Sequence, residues 1–264
     1  MFLVTRDNVA EQLQPYHEFE CTGEDDQYVV DVDITEEVRE EVQDYGLEEA
    51  LDAHGLESVF EEDPGPGHGL CRYAVVRDGV LVKAVQRTNP NKKWDWWQQG
   101  GRWTNWLGFT QAKTHQISFE AIEEAARQKA GAEFDRLTAA CRDARLPLDW
   151  ESWKSISARL SPIDAAREAY GAQPAVKALR ASRAVVPWTD LDRFLVGRER
   201  YVFEAGRRAW VPYAIVHDGR WHAKGDMGWW GVSSNEDGDW VEKARELILG
   251  LPSGTLLTVV DCHI

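Results

Sequence analysis

Alternating apolar and polar positions predict two β-hairpins in this chain. Short β-branched runs flank the Asp-Gly pairs at 78–79 and 218–219. An Asp-Gly pair between two such runs is a strong hairpin signal, because both residues tolerate the positive φ angles of a tight turn. The seven residues from Tyr73 align with the seven from Tyr213. This similarity indicates an internal duplication or the same hairpin used twice.

Helical spacing of apolar residues dominates the rest of the chain. The longest predicted helix begins after Ser118, which can cap it, and ends before Pro147. Several shorter helices are predicted within 150–208, separated by prolines. Asn8 can cap a short helix that ends at Leu13. Further short helices are predicted from Thr35, at Leu47 to Ala53, and from Asp237 or Asp239 to Leu249.

Both ends of the chain are predicted to be β-strands. Residues 1–7 form a short one, and residues 255–264 have an apolar middle that suggests a central place in a sheet. A further strand is expected over 102–109. Because strict βαβ alternation is missing, the predicted class is α+β: an antiparallel sheet built from both hairpins and the terminal strands, covered by helices.

The predicted domain organisation is a single domain over 1–264. Within it we expect an acidic N-terminal lobe at 1–63 and a helical insertion at about 119–208, with a Pro-Gly-rich break at 61–69. The net charge of −15 is uneven: residues 1–63 hold 21 Asp and Glu against two basic residues, whereas the rest holds 24 acids and 28 bases. This imbalance argues against direct nucleic-acid binding, and it leaves open a metal site, a basic partner or mimicry of a polyanion.

Composition narrows the class of protein further. Hydrophobic residues make up 43%, as in globular proteins, and no apolar run is long enough to span a membrane. The N-terminus lacks the features of a signal peptide, so we expect a cytoplasmic protein, in the host cell if it is phage-encoded. The four cysteines form no C-x-x-C pair and are expected to be reduced, most of them in the core. Walker, Rossmann, H-E-x-x-H and G-x-S-x-G motifs are absent, which removes the common nucleotide-binding and hydrolase classes but not all enzymes, and the cofactor is unknown.

The stretch from Asn89 to Trp103 is the strongest candidate site, since it holds four of the thirteen tryptophans. Its glycine pair permits positive φ and close approach of a ligand, while indole faces stack on flat rings and basic groups meet anions. The alternative is a tryptophan-rich mini-core in which Arg102 pairs with Asp95. The predicted ligand-binding residues are Lys93, Trp96, Gly100, Gly101, Arg102, Trp103, Trp229 and Trp230.

Three residues are candidates for catalysis: Asp95, Asp261 and His263. Asp261 and His263 are two apart on a strand and so share a face, where a carboxylate can orient an imidazole base. The alternative is a terminal histidine simply bonded to Asp261.

A weaker hypothesis concerns a metal ion. His17, Glu18 and Cys21 carry side chains of metal-ligand type near the N-terminus, but their spacing matches no zinc module. The alternative is a solvated acidic loop.

Three motifs together carry a family resemblance: residues 14–23, the K-W-D-W-W-x-x-G-G-R-W stretch of 93–103, and residues 224–231 with the terminal Asp261-Cys262-His263. The chain resembles a family of proteins carried by tailed phages, prophages and some actinobacteria. In that family the middle motif reads K-W-D-W-Y-x-x-G-G-R-W, so Trp97 replaces a tyrosine and removes its phenolic hydroxyl. The resemblance implies a phage or mobile-element origin and carries over no established activity.

The leading hypothesis is therefore a phage- or mobile-element-associated protein with one tryptophan-lined cleft. The cleft would bind a small, flat, nucleotide-like anion, with its hydrolysis or modification left open. The alternative is a non-catalytic, acidic inhibitor that mimics nucleic acid and occupies a basic host protein.

Overall fold

The computed structural model describes residues 2–5, 7–18, 26–65, 69–186, 188–228 and 233–263. The chain divides into two compact units. Unit 1 comprises Met1–Thr114, Pro212–Trp240 and Gly254–Ile264, and unit 2 comprises His115–Val211 and Val241–Ser253. The helical segment expected at 119–208 falls within unit 2.

Helices and strands are both abundant in the described residues, and the α+β class is confirmed. The strands are β1 Phe2–Val4, β2 Val30–Asp33, β3 Val59–Phe60, β4 Arg72–Arg77, β5 Val80–Thr88, β6 Trp96–Gln99, β7 Gln111–Lys113, β8 Ala214–His217, β9 Arg220–Ala223, β10 Asp226–Met227, β11 Ser233–Ser234 and β12 Leu256–His263. One sheet has the order β6-β12-β1-β8-β9, with β7 also paired to β12. A second sheet has the order β2-β5-β4-β3, and β10 pairs with β11.

Both predicted hairpins form. In each turn the Asp and the Gly have positive φ, 50° and 75° at 78–79 and 50° and 71° at 218–219, as a type I′ turn requires. The hairpins lie in different sheets, however, and not in the single sheet expected from the sequence. A hairpin is specified by its own turn, whereas the sheet it joins depends on residues far away in the chain.

Strand β12 is central, as its apolar middle predicts. It pairs antiparallel with β1 on one side and with β6 and β7 on the other, and β1 in turn runs parallel to β8. The strand expected over 102–109 is wrong: a 3-10 turn at Gly101–Trp103 and a loop occupy this region, and β7 starts only at Gln111. Positive φ at Gly100 and Gly101 turns the chain away from the extended conformation.

The helices follow their sequence signals closely. They are α1 Val9–Leu13, α2 Thr35–Tyr45, α3 Leu47–Ala53, α4 Phe119–Asp143, α5 Trp153–Arg159, α6 Ile163–Ala172, α7 Pro174–Ala181, α8 Arg198–Arg208 and α9 Trp240–Leu249. The predicted caps are confirmed, since Asn8 accepts the Glu11 N–H and Ser118 accepts the Ala121 N–H. Within the described ranges, no helix is both long and apolar enough to cross a membrane.

Each unit has its own core. In unit 1 the sheet around β12 packs its apolar face, including Val4, Val216 and Val260, against Leu13 and Trp94. The second sheet of unit 1 is covered by α2 and α3 through an apolar cluster of small and branched residues. In unit 2 the core is made by α4 to α7 and by the segment that follows α7.

The redox state of the cysteines agrees only in part with the expectation that all are reduced. Cys141 and Cys262 are free and buried, and burial raises the pKa of both thiols, that of Cys262 to about 12. Cys71 is disulfide-bonded, so the expectation of a reduced thiol is wrong at this position.

Candidate functional site

The tryptophan stretch begins with a structural residue. Trp94 is buried, packs in the core of unit 1 and donates its indole N–H to the Leu13 carbonyl at 3.1 Å. The backbone N–H of Lys93 donates to the Tyr16 carbonyl at 2.7 Å. These bonds fix the start of the stretch against α1, and they hold Lys93 at the surface of unit 1.

The next two tryptophans occupy the edge strand β6. Trp97 packs against the core of unit 1, whereas the side chain of Trp96 is 53% exposed. Successive side chains of a strand point to opposite faces, which accounts for the contrast. Trp103 is partly buried, and its indole nitrogen has no hydrogen-bond partner among the described residues.

The glycine pair adopts the positive φ that its residue type permits, 72° at Gly100 and 50° at Gly101. Other side chains of the protein, and not a ligand, lie close to these two glycines. A Cβ on Gly101 would lie 2.5 Å from the Cβ of Asp261, and one on Gly100 would lie 2.7 Å from the Thr104 hydroxyl. Gly101 therefore makes room for Asp261, and this space is not open to a ligand.

Arg102 is bound to Asp261. Its Nη2 lies 2.7 Å from Oδ1 and its Nε 2.9 Å from Oδ2, and its backbone N–H donates to Oδ2 at 2.9 Å. The Asp261 side chain is only 3% exposed, and the Arg102 hydrogen bonds lower its pKa despite burial. The alternative pairing of Arg102 with Asp95 is thus wrong. The Arg102 guanidinium, predicted to bind an anion, and the Asp261 carboxylate, predicted to be catalytic, are therefore engaged by each other.

His263 bonds to Asp95 instead of Asp261. Its Nδ1 lies 3.1 Å from the nearer Asp95 carboxylate oxygen, and both side chains are about half-exposed or more. An ionised carboxylate only accepts hydrogen bonds, so Nδ1 carries the hydrogen and, in the neutral ring, Nε2 keeps the lone pair. This is the arrangement of an imidazole base oriented by a carboxylate.

A second imidazole lies beside this pair. The Nε2 of His17 is 3.1 Å from the Asp95 backbone carbonyl, and its ring stacks on Trp94 with centroids 4.3 Å apart. Glu18, next in the chain, is ion-paired with Lys92, and Cys21 lies outside the described residues. The described part of the chain contains no group of three His, Cys, Asp or Glu side chains placed to hold a metal ion.

Two adjoining pockets open on the surface of unit 1. The smaller has a volume of about 170 Å³ and includes Lys92, Trp94 and Tyr213 in its lining. The larger, of about 560 Å³, includes Tyr16, Arg220, His222 and Asn235. Four residues line both pockets, which we therefore treat as one groove and call the Lys93 groove: Lys93, Trp221, Gly225 and Asp226.

Aromatic rings form part of the wall of the Lys93 groove. The Tyr16 and Trp221 rings have centroids 5.2 Å apart at an interplanar angle of 49°. The Tyr16 hydroxyl donates to the Gly219 carbonyl at 2.7 Å, so this ring is held against the second hairpin. Indole and phenol rings of this kind offer a surface on which a flat ligand can pack.

The charges of the Lys93 groove are mixed. The Lys93 ammonium lies 3.7 Å from the Asp226 carboxylate, and both side chains are exposed. Hydrogen bonding from Asn235, followed by the charge of Lys93, lowers the pKa of Asp226. Arg220 forms no ion pair with any described residue. Burial lowers the pKa of His222, with His217 and Arg220 adding to the effect, so this imidazole is neutral at pH 7.

Of the predicted ligand-binding residues that the structure describes, only Lys93 lines this groove. Trp229 and Trp230 lie outside the described residues. The sequence prediction missed Tyr16, Arg220, Trp221, His222 and Asp226, although the second hairpin that carries three of them was recognised. The sequence does contain a signal for this site, because an indole and an imidazole, Trp221 and His222, follow the Asp-Gly turn of that hairpin within three positions.

Comparison of the chain with protein-family models, with curated proteins and with solved structures found no match.

Proposed function

We propose that unit 1 binds a small, flat anion, of the size of a nucleotide, in the Lys93 groove. The observation that carries the proposal is that Lys93 and Trp221 line both pockets, so a cation and an indole lie along the whole groove. A volume of about 560 Å³ in its larger part matches small-molecule sites. A phage or mobile-element setting is supported only by the resemblance of the three motifs.

The anionic character of the ligand is supported by the cations of the groove. The Lys93–Asp226 contact is long and exposed, and such a pair contributes little, so an incoming anion competes with it at small cost. Arg220 adds a guanidinium, which suits phosphate or carboxylate. The ring of the ligand would pack on Trp221, where dispersion and burial of apolar area contribute.

Catalysis within this proposal is assigned to the His263–Asp95 pair. Asp95 follows Lys93 and Trp94 in the chain, and its carboxylate orients the imidazole through Nδ1. In hydrolysis of a bound phosphoester, Nε2 would accept a proton from the water whose oxygen bonds to phosphorus. The protonated imidazole would then return this proton to the alcohol oxygen that leaves as its bond to phosphorus breaks. Binding without turnover remains compatible with the groove, so the two parts of the proposal are tested separately.

The binding test is calorimetric titration of the full chain with adenosine 5′-monophosphate. Lys93→Gln and Arg220→Gln are each expected to weaken binding about tenfold, since each removes a charge-assisted hydrogen bond. Lys129→Gln, an exposed lysine of α4 in unit 2, makes the same charge change and should leave affinity unaltered. Absence of binding, or equal binding by all four proteins, would show that the proposal is wrong.

A second candidate function is favoured by the outer surface of α2 and α3. These helices expose seven carboxylates and carry Arg39 as their one basic residue: Glu36, Glu37, Glu40, Asp44, Glu48, Glu49 and Asp52. Such a surface attracts a basic partner over several ångströms and repels nucleic acid. We propose, as the alternative, that it occupies a basic protein of the host.

Neutralisation of this surface tests the alternative. A variant with Glu37→Gln, Glu40→Gln, Asp44→Asn and Glu48→Gln should lose capture of basic proteins from a bacterial lysate. The wild-type complex should dissociate as NaCl rises from about 0.05 to 0.5 M, because salt screens exposed charges. A control variant neutralises four acids of unit 2: Glu120, Glu124, Glu168 and Glu199. Capture that is insensitive to salt, or that is lost equally in the control variant, would exclude the proposal that the surface of α2 and α3 occupies a basic host protein.

A further inference from the structure

A separate cavity of about 630 Å³ lies within unit 2. It is lined by α5, α6 and α7 and by the segment 189–192. Its apolar wall consists of Trp153, Tyr170 and Leu191, with the two rings edge to face at 88° and their centroids 5.9 Å apart. The volume falls in the range of small-molecule sites, and none of its residues belongs to the Lys93 groove.

One partly buried network of hydrogen bonds holds this wall in place. Asp192 accepts the Trp150 indole N–H at 2.9 Å, the Tyr170 hydroxyl at 2.8 Å and the Trp153 backbone N–H at 2.6 Å. Burial raises the pKa of Tyr170, with Asp192 adding to it, so the phenol stays a neutral donor. Because the Asp192 oxygens are engaged by these donors, the wall is preorganised and presents its rings to the cavity.

The open side of the cavity is cationic, although the whole chain has a net charge of −15. Lys154, Arg167 and Arg180 line it. Lys154 and Arg180 form no ion pair with any described residue, and Arg167 pairs only with Asp164, at 2.8 Å between two mostly exposed side chains. An exposed pair of this kind contributes little and can give way to a ligand.

One further carboxylate, that of Asp190, lines the cavity beside these cations. Its Oδ1 accepts the backbone N–H of Asp192 at 3.0 Å, which closes a local turn. With the Asp192 carboxylate counted as well, three cations and two carboxylates line the cavity, which leaves a net charge of +1. This excess of positive charge favours binding of an anionic group at the mouth of the cavity.

We propose that this cavity of unit 2 binds a small aromatic anion, with its ring against Trp153 and Leu191 and its charged group on Arg167 and Arg180. Guanidinium groups bind phosphate, phosphonate or carboxylate oxygens through two nitrogens. The ring adds apolar contact with an indole and with a buried leucine. This site is independent of the ligand proposed for the Lys93 groove.

Calorimetric titration of the full chain with phenylphosphonate tests the proposal. We expect a Kd of about 1 mM or tighter. Inorganic phosphate lacks the ring and phenol lacks the charge, so each should bind at least about tenfold more weakly. No detectable binding of phenylphosphonate overturns the proposal, and so does inorganic phosphate that binds equally well.

Matched variants locate the bound probe. Arg167→Gln and Arg180→Gln should each weaken phenylphosphonate binding about tenfold. Both side chains are exposed, so folding should be unaffected, and an unchanged melting temperature checks this. Arg136→Gln, an exposed arginine of α4, is the charge control. Lys93→Gln should leave this affinity unchanged. If Lys93→Gln abolishes binding and Arg167→Gln does not, the probe occupies the Lys93 groove and the proposal fails, whereas the proposed function of unit 1 is supported.

Discussion

Arg102 and Asp261 lie 159 positions apart in the sequence and form a two-nitrogen ion pair in the structure, with Nη2–Oδ1 at 2.7 Å and Nε–Oδ2 at 2.9 Å. The carboxylate is buried and the guanidinium is mostly exposed. The pair joins the 3-10 turn after β6 to the central strand β12. The pair therefore has a structural role in unit 1, although Arg102 lies in the stretch that the sequence predicts to be a binding site.

Removal of the guanidinium should destabilise the protein. Arg102→Ala leaves the Asp261 carboxylate buried with one backbone N–H, and we expect the free energy of unfolding to fall by about 2 kcal/mol. Urea denaturation at pH 7 measures this change. Arg39→Ala removes an exposed arginine paired with Glu36 and should cost less than about 0.5 kcal/mol. Equal effects of the two substitutions would contradict a structural role for the pair.

The same pair predicts a pH dependence. The pKa of Asp261 is lower in the folded chain than its ordinary value of 3.8. Its contribution to stability is therefore complete above the ordinary pKa, and it is lost as the pH falls through the lowered pKa. The stability difference between wild type and Arg102→Ala should shrink on acidification from pH 7 to about pH 3. A difference that stays constant over this range would show that Asp261 is not the titrating group.

Gly101 should tolerate no side chain. Gly101→Ala places a Cβ 2.5 Å from the Asp261 Cβ and also forces alanine into a positive φ of 50°. We expect a loss of more than about 2 kcal/mol, from strain and from displacement of Asp261. Gly108→Ala has the same kind of positive φ but no neighbour within 4 Å, so it should cost only about 1 kcal/mol. The difference between the two variants in urea denaturation isolates the steric contact.

His263 should matter little for stability. The His263–Asp95 hydrogen bond joins two exposed side chains, so His263→Ala is expected to lower the free energy of unfolding by less than about 1 kcal/mol. If the pair is catalytic, the same substitution abolishes turnover of a bound phosphoester and leaves the melting temperature nearly unchanged. A large loss of stability would instead assign the histidine to the fold.

In unit 2, Glu123 should be the most sensitive acid of α4. It accepts hydrogen bonds from Arg127, Trp210 and Arg245 at 2.6 to 3.0 Å and is only 12% exposed. Burial acts to raise its pKa, but the bonds from Arg245 and Trp210 outweigh burial and lower it. Glu123→Gln leaves Arg245 without its anion, and we expect a loss of about 2 kcal/mol at pH 7. The stability difference between wild type and Glu123→Gln should narrow as the pH falls through the lowered pKa of Glu123.

The neighbouring Glu124 provides the control for this prediction. Its carboxylate is 57% exposed and lies 3.5 Å from Arg127. Glu124→Gln should change stability by less than about 0.5 kcal/mol. If both substitutions behave alike in urea denaturation, the Glu123 network is not a stabilising element of unit 2.

The sequence by itself determined the local elements. The Asp-Gly turns, the caps at Asn8 and Ser118 and the apolar run of β12 act through residues a few positions apart, so each could be recognised in the chain and each is confirmed. The sequence also permits the positive φ observed at Gly100 and Gly101. This conformation needs only the absence of a Cβ.

Only the tertiary structure decided which side chains meet. The sequence offers Arg102 a ligand anion or, in the alternative, Asp95, whereas in the structure Arg102 bonds Asp261 and Asp95 bonds His263. This happens because β6 pairs with β12 and the 3-10 turn follows that edge. The two similar hairpins joined different sheets, and the second brought Trp221 to Tyr16. These contacts depend on strand pairing between distant segments, in which many partners are locally equivalent, so the choice among them is made by the packing of the whole unit.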